Sequence, residues 1–258
     1  MFRVLDDRPG SDAAVSVAGA GPLSVYVHVR AGADAADLTG LRVLLTADLL
    51  VRAAELGGLQ VLTSRAFTGD PKDKSALERA AAALGVRPPV LPAADVGEAW
   101  PGGPSAVHVV DDGAAGQDDH SGIVIRTAAA RLALEATPGA AAADMLGGHD
   151  PLAVRLALVS LPRHEPAELT AGELTDAAQR LGEWRRRVAR WAESPSGAIP
   201  EPVAARLRAA FGNLDLPAVL ALLNGLAADD TVPPGPQFET FVYADRVLGL
   251  DLPRDIGR

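Results

Sequence analysis

Histidine is the residue type in this chain whose chemistry best suits metal binding or proton transfer. The 258 residues include five histidines and no cysteine. His28 stands near the end of residues 23–30, where apolar and polar residues alternate with the period of a strand. The absence of cysteine excludes disulfides, thiolate nucleophiles and cysteine-based metal sites in this chain. His28 is therefore either a metal ligand or, in the ordinary case, a polar side chain at a strand end.

Two clusters of charged residues suggest further sites. Residues 111–119 contain four aspartates, which either bind Mg²⁺ or Ca²⁺ or form a solvated loop. They lack the alternating spacing and the terminal glutamate of a calcium loop, which favours the solvated loop. A basic band, residues 185–187 with Arg190, lies between Trp184 and Trp191. It either faces an acidic partner or RNA, or it is the solvated side of a helix whose tryptophans are buried.

Composition and charge limit the classes of partner. The formal net charge is −9, which disfavours electrostatic binding to bulk nucleic acid. No apolar run approaches the ~20 residues that cross a bilayer. The first ten residues lack the basic and then apolar layout of a signal peptide. We therefore expect a cytoplasmic protein without a membrane partner.

Apolar periodicity predicts an α/β fold for residues 1–150. Strand patterns at residues 23–30, 59–62, 106–110 and 123–126 are interrupted by helical stripes that begin near residues 43 and 76. Ser75 and Glu78 have the spacing of a capping box and would start the second helix. Strands that alternate with helices are typical of a parallel sheet, because parallel neighbours need crossover connections.

The pattern from residue 151 onward is helical. Thr170 and Glu173 have capping-box spacing and open an apolar stripe that continues to Trp191. Three more stripes follow, within residues 203–211, 219–226 and 238–248. We therefore expect two domains, a sheet domain over residues 1–150 and an all-α helical bundle over residues 151–258.

Two blocks of the sequence carry a resemblance to a known family. Residues 25–28 (VYVH) precede Asp34 and then residues 37–40 (DLTG), which open a helix. This block resembles the nucleotide-binding fold of the cysteinyl-tRNA synthetases, and more closely that of the related cysteine ligases of mycothiol biosynthesis. Residues 120–156, ending in DPLAVRL, resemble the stretch that carries their lysine loop and runs into the junction with a helical domain. The resemblance excludes roughly residues 75–119 and implies a reduced Rossmann-like parallel sheet of the class I synthetase type, followed by a helical bundle.

The resemblance also implies two catalytic motifs whose central residues are replaced here. The family's histidine motif, which holds ATP phosphates, corresponds to Asp37, Leu38, Thr39 and Gly40. Its lysine loop corresponds to Ala130, Arg131, Leu132, Ala133 and Leu134. Both histidines and both lysines are thus missing, and Asp37 would repel a phosphate. The cations that remain for the cleft are Arg30, Arg42, Arg65 and Arg131.

Zinc binding is a further property that the resemblance implies for the family. The first cysteine ligand of its zinc ion corresponds to His28, and the other ligands lie in a central insert. Here that insert is shortened to residues 75–119, where His108 is the one histidine. A zinc site needs three or four converging ligands, so we expect neither zinc nor another cofactor, with ATP as the open alternative.

These replacements predict a non-catalytic homologue of the cysteine-activating ligases that acts as a binding, scaffold or regulatory protein. The alternative is an ATP-dependent ligase that forms an aminoacyl-adenylate at an atypical site, as in cysteinyl-tRNA synthetases or mycothiol cysteine ligases. The resemblance ends near Leu252, so no anticodon-binding domain and no transfer RNA are expected. The shortened insert would expose a sheet edge, which predicts that a second copy or another protein covers it.

Overall fold

A four-stranded parallel sheet lies at the centre of the fold. The computed structural model describes residues 2–8, 14–17, 21–32, 34, 36–91, 106–113, 122–133 and 150–258. Strands β3 (Leu23–Arg30), β4 (Val61–Thr68), β5 (Ala106–Asp111) and β6 (Ile123–Thr127) lie in the order β4-β3-β5-β6. The register pairs Tyr26 of β3 with Ser64 of β4 and with His108 of β5. The parallel α/β sheet predicted from the sequence is confirmed.

Two helices follow the first two strands of this sheet. Helix α1 (Thr39–Leu56) is buried along most of its length, and helix α2 (Pro71–Ala83) packs beside it. Helix α2 begins four residues before the predicted capping box, because Asp70 accepts a hydrogen bond from the Lys72 N–H (2.8 Å) and Pro71 occupies the first turn. Ser75 lies inside the helix and donates to the Pro71 carbonyl, so the capping box predicted at Ser75 is wrong.

Two small sheets flank the central one. Strands β1 (Phe2–Leu5) and β2 (Ala14–Val17) form an antiparallel pair. Strand β7 (Ala130–Leu132) pairs in parallel with β8 (Ala167–Leu169). Because β8 lies beyond residue 150, the second half of the chain contributes one short strand as well as helices.

Five helices form most of the second half: α3 (Pro151–Val159), α4 (Ala171–Trp191), α5 (Glu201–Gly212), α6 (Leu216–Ala227) and α7 (Pro234–Leu248). The capping box of Thr170 and Glu173 at the start of α4 is confirmed. Trp184 and Trp191 of α4 pack edge to face against Phe241 of α7, with ring centroids 5.5 and 5.1 Å away. Within the described residues, no helix combines the length and apolar character that crossing a membrane requires.

Both outer strands of the central sheet receive hydrogen bonds from within the chain. The Asp7 N–H donates to the Val124 carbonyl of β6 (2.8 Å), and the Asp6 carboxylate accepts the Val124 N–H (3.2 Å). On the opposite edge, the Leu91 N–H donates to the Thr63 carbonyl of β4 (2.9 Å). A partner chain at either edge would add to these internal contacts, and such a partner stays a prediction.

A buried carboxylate joins α1 to the second half of the chain. Asp48 accepts hydrogen bonds from Arg155 Nη2 of α3 (2.7 Å) and from Arg52 Nε (2.8 Å). Arg155 is fully buried and also donates to the carbonyls of Leu248 (2.5 Å) and Leu84 (3.1 Å). Burial raises the pKa of the Asp48 carboxyl, but Arg155 and Arg52 outweigh burial, so that this pKa lies below its ordinary value. One ion pair thus connects α1, α3, the end of α2 and the end of α7.

Replacing this carboxylate should destabilise the protein strongly. In Asp48→Asn, the fully buried guanidinium of Arg155 loses its counter-charge while its hydrogen-bonding carbonyls stay in place. Removing one partner of a buried ion pair typically costs about 3–5 kcal/mol. Urea unfolding at neutral pH should therefore show a loss of that size in the free energy of unfolding.

The control and the pH dependence distinguish this ion pair from a generic core defect. Asp215→Asn keeps an N-cap at the start of α6, so it should change stability by less than about 0.5 kcal/mol. Because the folded pKa of Asp48 is lowered, its stabilisation is complete above the unfolded value of about 3.9 and is lost as the pH falls through the folded pKa. Asp48→Asn should lack this part of the acid destabilisation, and a variant with unchanged stability and acid dependence would contradict the account.

Candidate functional site

The counterparts of both family motifs lie at the carboxyl edge of the parallel sheet, where ligands of open α/β sheets bind. Residues 37–40 lead from the end of β3 into α1, and residues 130–133 follow the end of β6. Gly69, after the end of β4, has φ of +115° and approaches the Ala31 carbonyl so closely that a side chain would be excluded. The backbone is thus tightly packed at the edge where a nucleotide would bind.

The two motif counterparts are joined directly by hydrogen bonds. The Leu38 N–H donates to the Ala130 carbonyl (2.9 Å), and the Leu132 N–H donates to the Ala36 carbonyl (2.8 Å). The Thr39 hydroxyl accepts the Ala130 N–H (3.2 Å). We call these contacts between residues 36–39 and 130–132 the clasp. Because β7 also pairs with β8, the segment that corresponds to a lysine loop is bonded along both of its edges.

Asp37 occupies the amino terminus of α1. Its Oδ1 atom accepts the Thr39 N–H at 2.9 Å. The N–H groups at the start of a helix otherwise attract phosphates and other anions. Here one such group is bonded to the chain's own carboxylate, and the Leu38 N–H is bonded within the clasp, so two donors of the helix start are used internally.

Gly40 leaves no room for a side chain in the first turn of α1. A Cβ atom there would lie 2.9 Å from the Arg30 carbonyl oxygen, 2.9 Å from Leu77 Cδ2 and 3.3 Å from Val29 Cγ1. One of these neighbours is backbone, which cannot rotate away. The histidine that the family resemblance implies at this position therefore does not fit the present backbone.

The four arginines predicted as phosphate-binding candidates do not converge. Arg30 pairs at 3.5 Å with Asp111, a buried residue, and Arg131 pairs at 3.1 Å with Asp34 on the surface. An exposed pair such as that of Arg131 and Asp34 typically contributes about 0–1 kcal/mol. Arg65 lies on β4, donates to the Arg87 carbonyl and lines a cavity on the α1 side of the sheet.

Arg42 has a structural role that sequence reasoning missed. It is buried in α1 and donates to four backbone carbonyls at 2.6–3.3 Å: those of Ala128, Ala129, Pro162 and Glu165. Burial lowers the pKa of its guanidinium. Arg42 therefore fixes the segment before β7 and the loop before β8, and so positions the clasp. The sequence feature that could have indicated this role is the position of Arg42 among the apolar residues Leu41, Val43 and Leu44.

His28 and His108 form a pair on the face of the sheet opposite α1. His28 Nε2 and His108 Nδ1 lie 3.1 Å apart, and the His108 ring stacks on Tyr26 at 5.3 Å. A hydrogen bond between these two nitrogens places a proton between them, so they do not present two lone pairs to one metal ion. In the described ranges, no group of three or more His, Cys, Asp or Glu side chains is placed to hold a metal. The described donor set therefore does not fit zinc.

The acidic loop and the remaining candidates are only partly described. Asp111 pairs with Arg30, and Asp112 lies 3.8 Å from Arg126. Leu134, His120, Asp118 and Asp119 lie outside the described residues, as do residues 92–104 of the shortened insert. Ala133 directly follows β7, and its N–H donates to the Leu169 carbonyl of β8 (2.8 Å).

The basic band of α4 is not one solvated face. Arg185 is buried and donates to the Leu250 carbonyl (2.8 Å) and to the Asp150 carboxylate (3.0 Å). It therefore ties the start of α3 to the chain after α7. The interpretation of this band as a solvated surface is therefore wrong for Arg185. Its helical spacing from Leu181 and Val188, which are both buried, could have indicated that Arg185 lies on the buried face.

Known cysteine ligases share sequence with part of this chain. No family model matches it. An L-cysteine:1D-myo-inositol 2-amino-2-deoxy-alpha-D-glucopyranoside ligase from Thermobispora bispora is 40% identical over 90 residues, which is 33% of this chain and 21% of that protein. Enzymes of the same name are 34% identical over 105 residues in Acidothermus cellulolyticus and 36% over 109 residues in Streptosporangium roseum. These two matches cover 41% and 40% of this chain and 25% and 26% of the relatives.

The resemblance to the cysteine ligase family is confirmed. The matched region spans about a fifth to a quarter of the cysteine ligases' own length. The relationship agrees with the reduced Rossmann-like sheet followed by a helical region. The replacement of the motif histidines and lysines stays a prediction from the residues at positions 37–40 and 130–134.

A side chain at Gly40 should destabilise the protein. In an open helical position, replacing glycine by alanine gains about 0.5–1 kcal/mol. Gly40→Ala should instead cost about 1–3 kcal/mol, because its Cβ meets the Arg30 carbonyl and Leu77. Denaturant unfolding measures the difference.

Gly225→Ala is the matched control for this prediction. Gly225 lies in α6, and an added Cβ there meets none of the described residues within 4 Å. This substitution should stabilise the protein, so the two variants should have effects of opposite sign. Stabilisation by Gly40→Ala would show that the helix start is looser than the contacts of Gly40 indicate.

Proposed function

We propose that this chain is a binding protein derived from the cysteine ligase family that does not activate cysteine. The observation that carries the proposal is the clasp. In an adenylating site, donors from both motifs face the triphosphate. Here the Leu38 and Leu132 N–H groups and the Thr39 hydroxyl bond the two segments to each other.

The charges around the clasp support the same proposal. Asp37 occupies the amino terminus of α1, and Arg131 is paired with Asp34. A phosphate placed there would have to displace a carboxylate from the helix and break backbone hydrogen bonds of the clasp. Because an exposed ion pair is weak, the backbone contacts of the clasp and the crowding at Gly40 oppose a bound phosphate more strongly than the pairing of Arg131 does.

The alternative function is ATP-dependent ligation, and the names of the similar enzymes favour this alternative. They are ligases of L-cysteine with 1D-myo-inositol 2-amino-2-deoxy-alpha-D-glucopyranoside. Activity in this chain would require the clasp to open and new cations to reach the cleft. We also propose a cytoplasmic location and a second copy or another protein as partner at the sheet edge, without transfer RNA.

Pyrophosphate exchange tests the proposal directly. We expect no exchange that depends on both L-cysteine and this protein, since each lost contact to the developing charge typically costs about 10²–10³ in rate. Four such replacements leave little activity even though their effects do not simply add. The Thermobispora bispora ligase, assayed in parallel, provides the positive control.

A thermal-shift assay extends this test from catalysis to binding. ATP, cysteine and a cysteinyl-adenylate analogue are each added separately. A ligand present at 100 times its dissociation constant stabilises a protein by about 2.7 kcal/mol. We expect no stabilisation by ATP or by the adenylate analogue. Cysteine-dependent exchange, or saturable stabilisation by the analogue, would favour the ligase alternative.

Metal content gives a separate prediction. His28 and His108 bond to each other, and the described residues supply no third donor. Elemental analysis of protein purified without chelators should therefore give far less than one zinc per chain. One zinc per chain that is lost in His28→Ala would show that residues outside the described ranges complete a site.

A further inference from the structure

A cavity of about 80 Å³ lies between α1 and the outer strand β4. Its apolar wall comes from β3, β4 and α1, through Val27, Val61, Ala47 and Val51. Its position on the α1 side of the sheet separates it from the clasp and from the carboxyl edge. The volume exceeds the ~10–15 Å³ that one water molecule needs, so several heavy atoms fit.

The polar part of this cavity consists of two arginines, two carboxylates and a threonine hydroxyl. Arg87 and Arg65 both line it. Arg87 uses Nη1 for Glu55 (2.7 Å) and Nε for Asp48 (3.3 Å). Its Nη2 atom is buried and, within the part of the chain that the structure describes, has no hydrogen-bond partner. A buried donor without an acceptor is costly, so an acceptor in the cavity would be favoured.

The carboxylates nearby do not meet this need, because other groups already use them. Asp48 accepts from Arg52, Arg155 and Arg87 and is 99% buried at its side chain. Glu55 is exposed and pairs with Arg87 Nη1. The cavity therefore combines a cationic donor with a branched aliphatic wall, which suits an anion that carries a short alkyl group.

We propose that this cavity binds a small monocarboxylate. The carboxylate lies beside Arg87 Nη2 and the Arg65 guanidinium, and a short alkyl group packs against Val27, Val51 and Val61. A bare inorganic anion would leave the aliphatic wall without a partner. This site is independent of the clasp and of the proposed function, so either proposal can fail alone.

Methyl NMR of the full chain tests this site with isobutyrate as the probe. Titration with sodium isobutyrate, at ionic strength held constant with sodium chloride, should shift the methyl signals of Val27, Val51 and Val61 saturably. Inorganic phosphate should bind at least about tenfold more weakly, because it gains nothing from the aliphatic wall. Absence of saturable shifts up to tens of millimolar isobutyrate, or equal binding of phosphate, would overturn the proposal.

Two variants identify the groups that bind. Arg87→Gln should weaken isobutyrate binding about ten- to hundredfold through loss of a charged hydrogen bond. Val61→Phe should abolish binding, because the larger side chain fills the cavity while both arginines stay in place. This second variant tests the proposal even if Arg87→Gln does not fold. Arg79→Gln, which changes an exposed arginine of α2, is the matched control and should leave the affinity unchanged. Binding that persists in Val61→Phe would overturn the assignment.

Discussion

The buried pair of Asp48 and Arg155 is the interaction on which the rest of this fold depends. Asp48 comes from the helix that covers the parallel sheet, and Arg155 comes from the first helix of the second half. The two side chains are almost completely removed from solvent, so each requires the other's charge. Arg155 also holds the carbonyls that end α2 and α7. The sheet and the helical region therefore share one polar centre within a continuous apolar core.

This packing explains why the carboxyl edge is closed. With α3 held against α1, the chain after α3 returns beside the sheet, and Arg42 bonds the carbonyls that precede β7 and β8. Strand β7 is then paired with β8 on one side and with residues 36–38 on the other. The segment of β7 is therefore bonded into the scaffold along both of its edges. At the start of α1, Gly40 lets the helix pack closely against the end of β3 and against Leu77 of α2, and a side chain there would meet the Arg30 carbonyl.

Sequence patterns predicted much of the fold but not the hydrogen bonds of the clasp. Period-two and helical patterns predicted β3, α1 and the parallel sheet. The capping box at Thr170 was correct, since the Thr170 hydroxyl accepts the Glu173 N–H and the Glu173 carboxylate accepts the Thr170 N–H. The capping box at Ser75 failed because Asp70 and Pro71 start the helix earlier. No sequence pattern indicated that Asp48 and Arg155 meet, since pairing between residues 107 apart is set by packing. For the same reason, no local sequence pattern indicated the cavity beside Arg87. The role of Arg42 was indicated only by a charged residue within an apolar stripe.

The N–H donors of Leu38 and Leu132, at the carboxyl edge of the sheet, are bonded within the clasp. Amide hydrogen exchange, followed residue by residue by NMR, measures this directly at the N–H groups of Leu38 and Leu132. The account predicts slow exchange at both amides, with rates and chemical shifts that stay unchanged when Mg²⁺-ATP and L-cysteine are added at millimolar concentration. Fast exchange in the free protein, or chemical-shift changes confined to Leu38, Ala130 and Leu132 when the nucleotide is added, would contradict it.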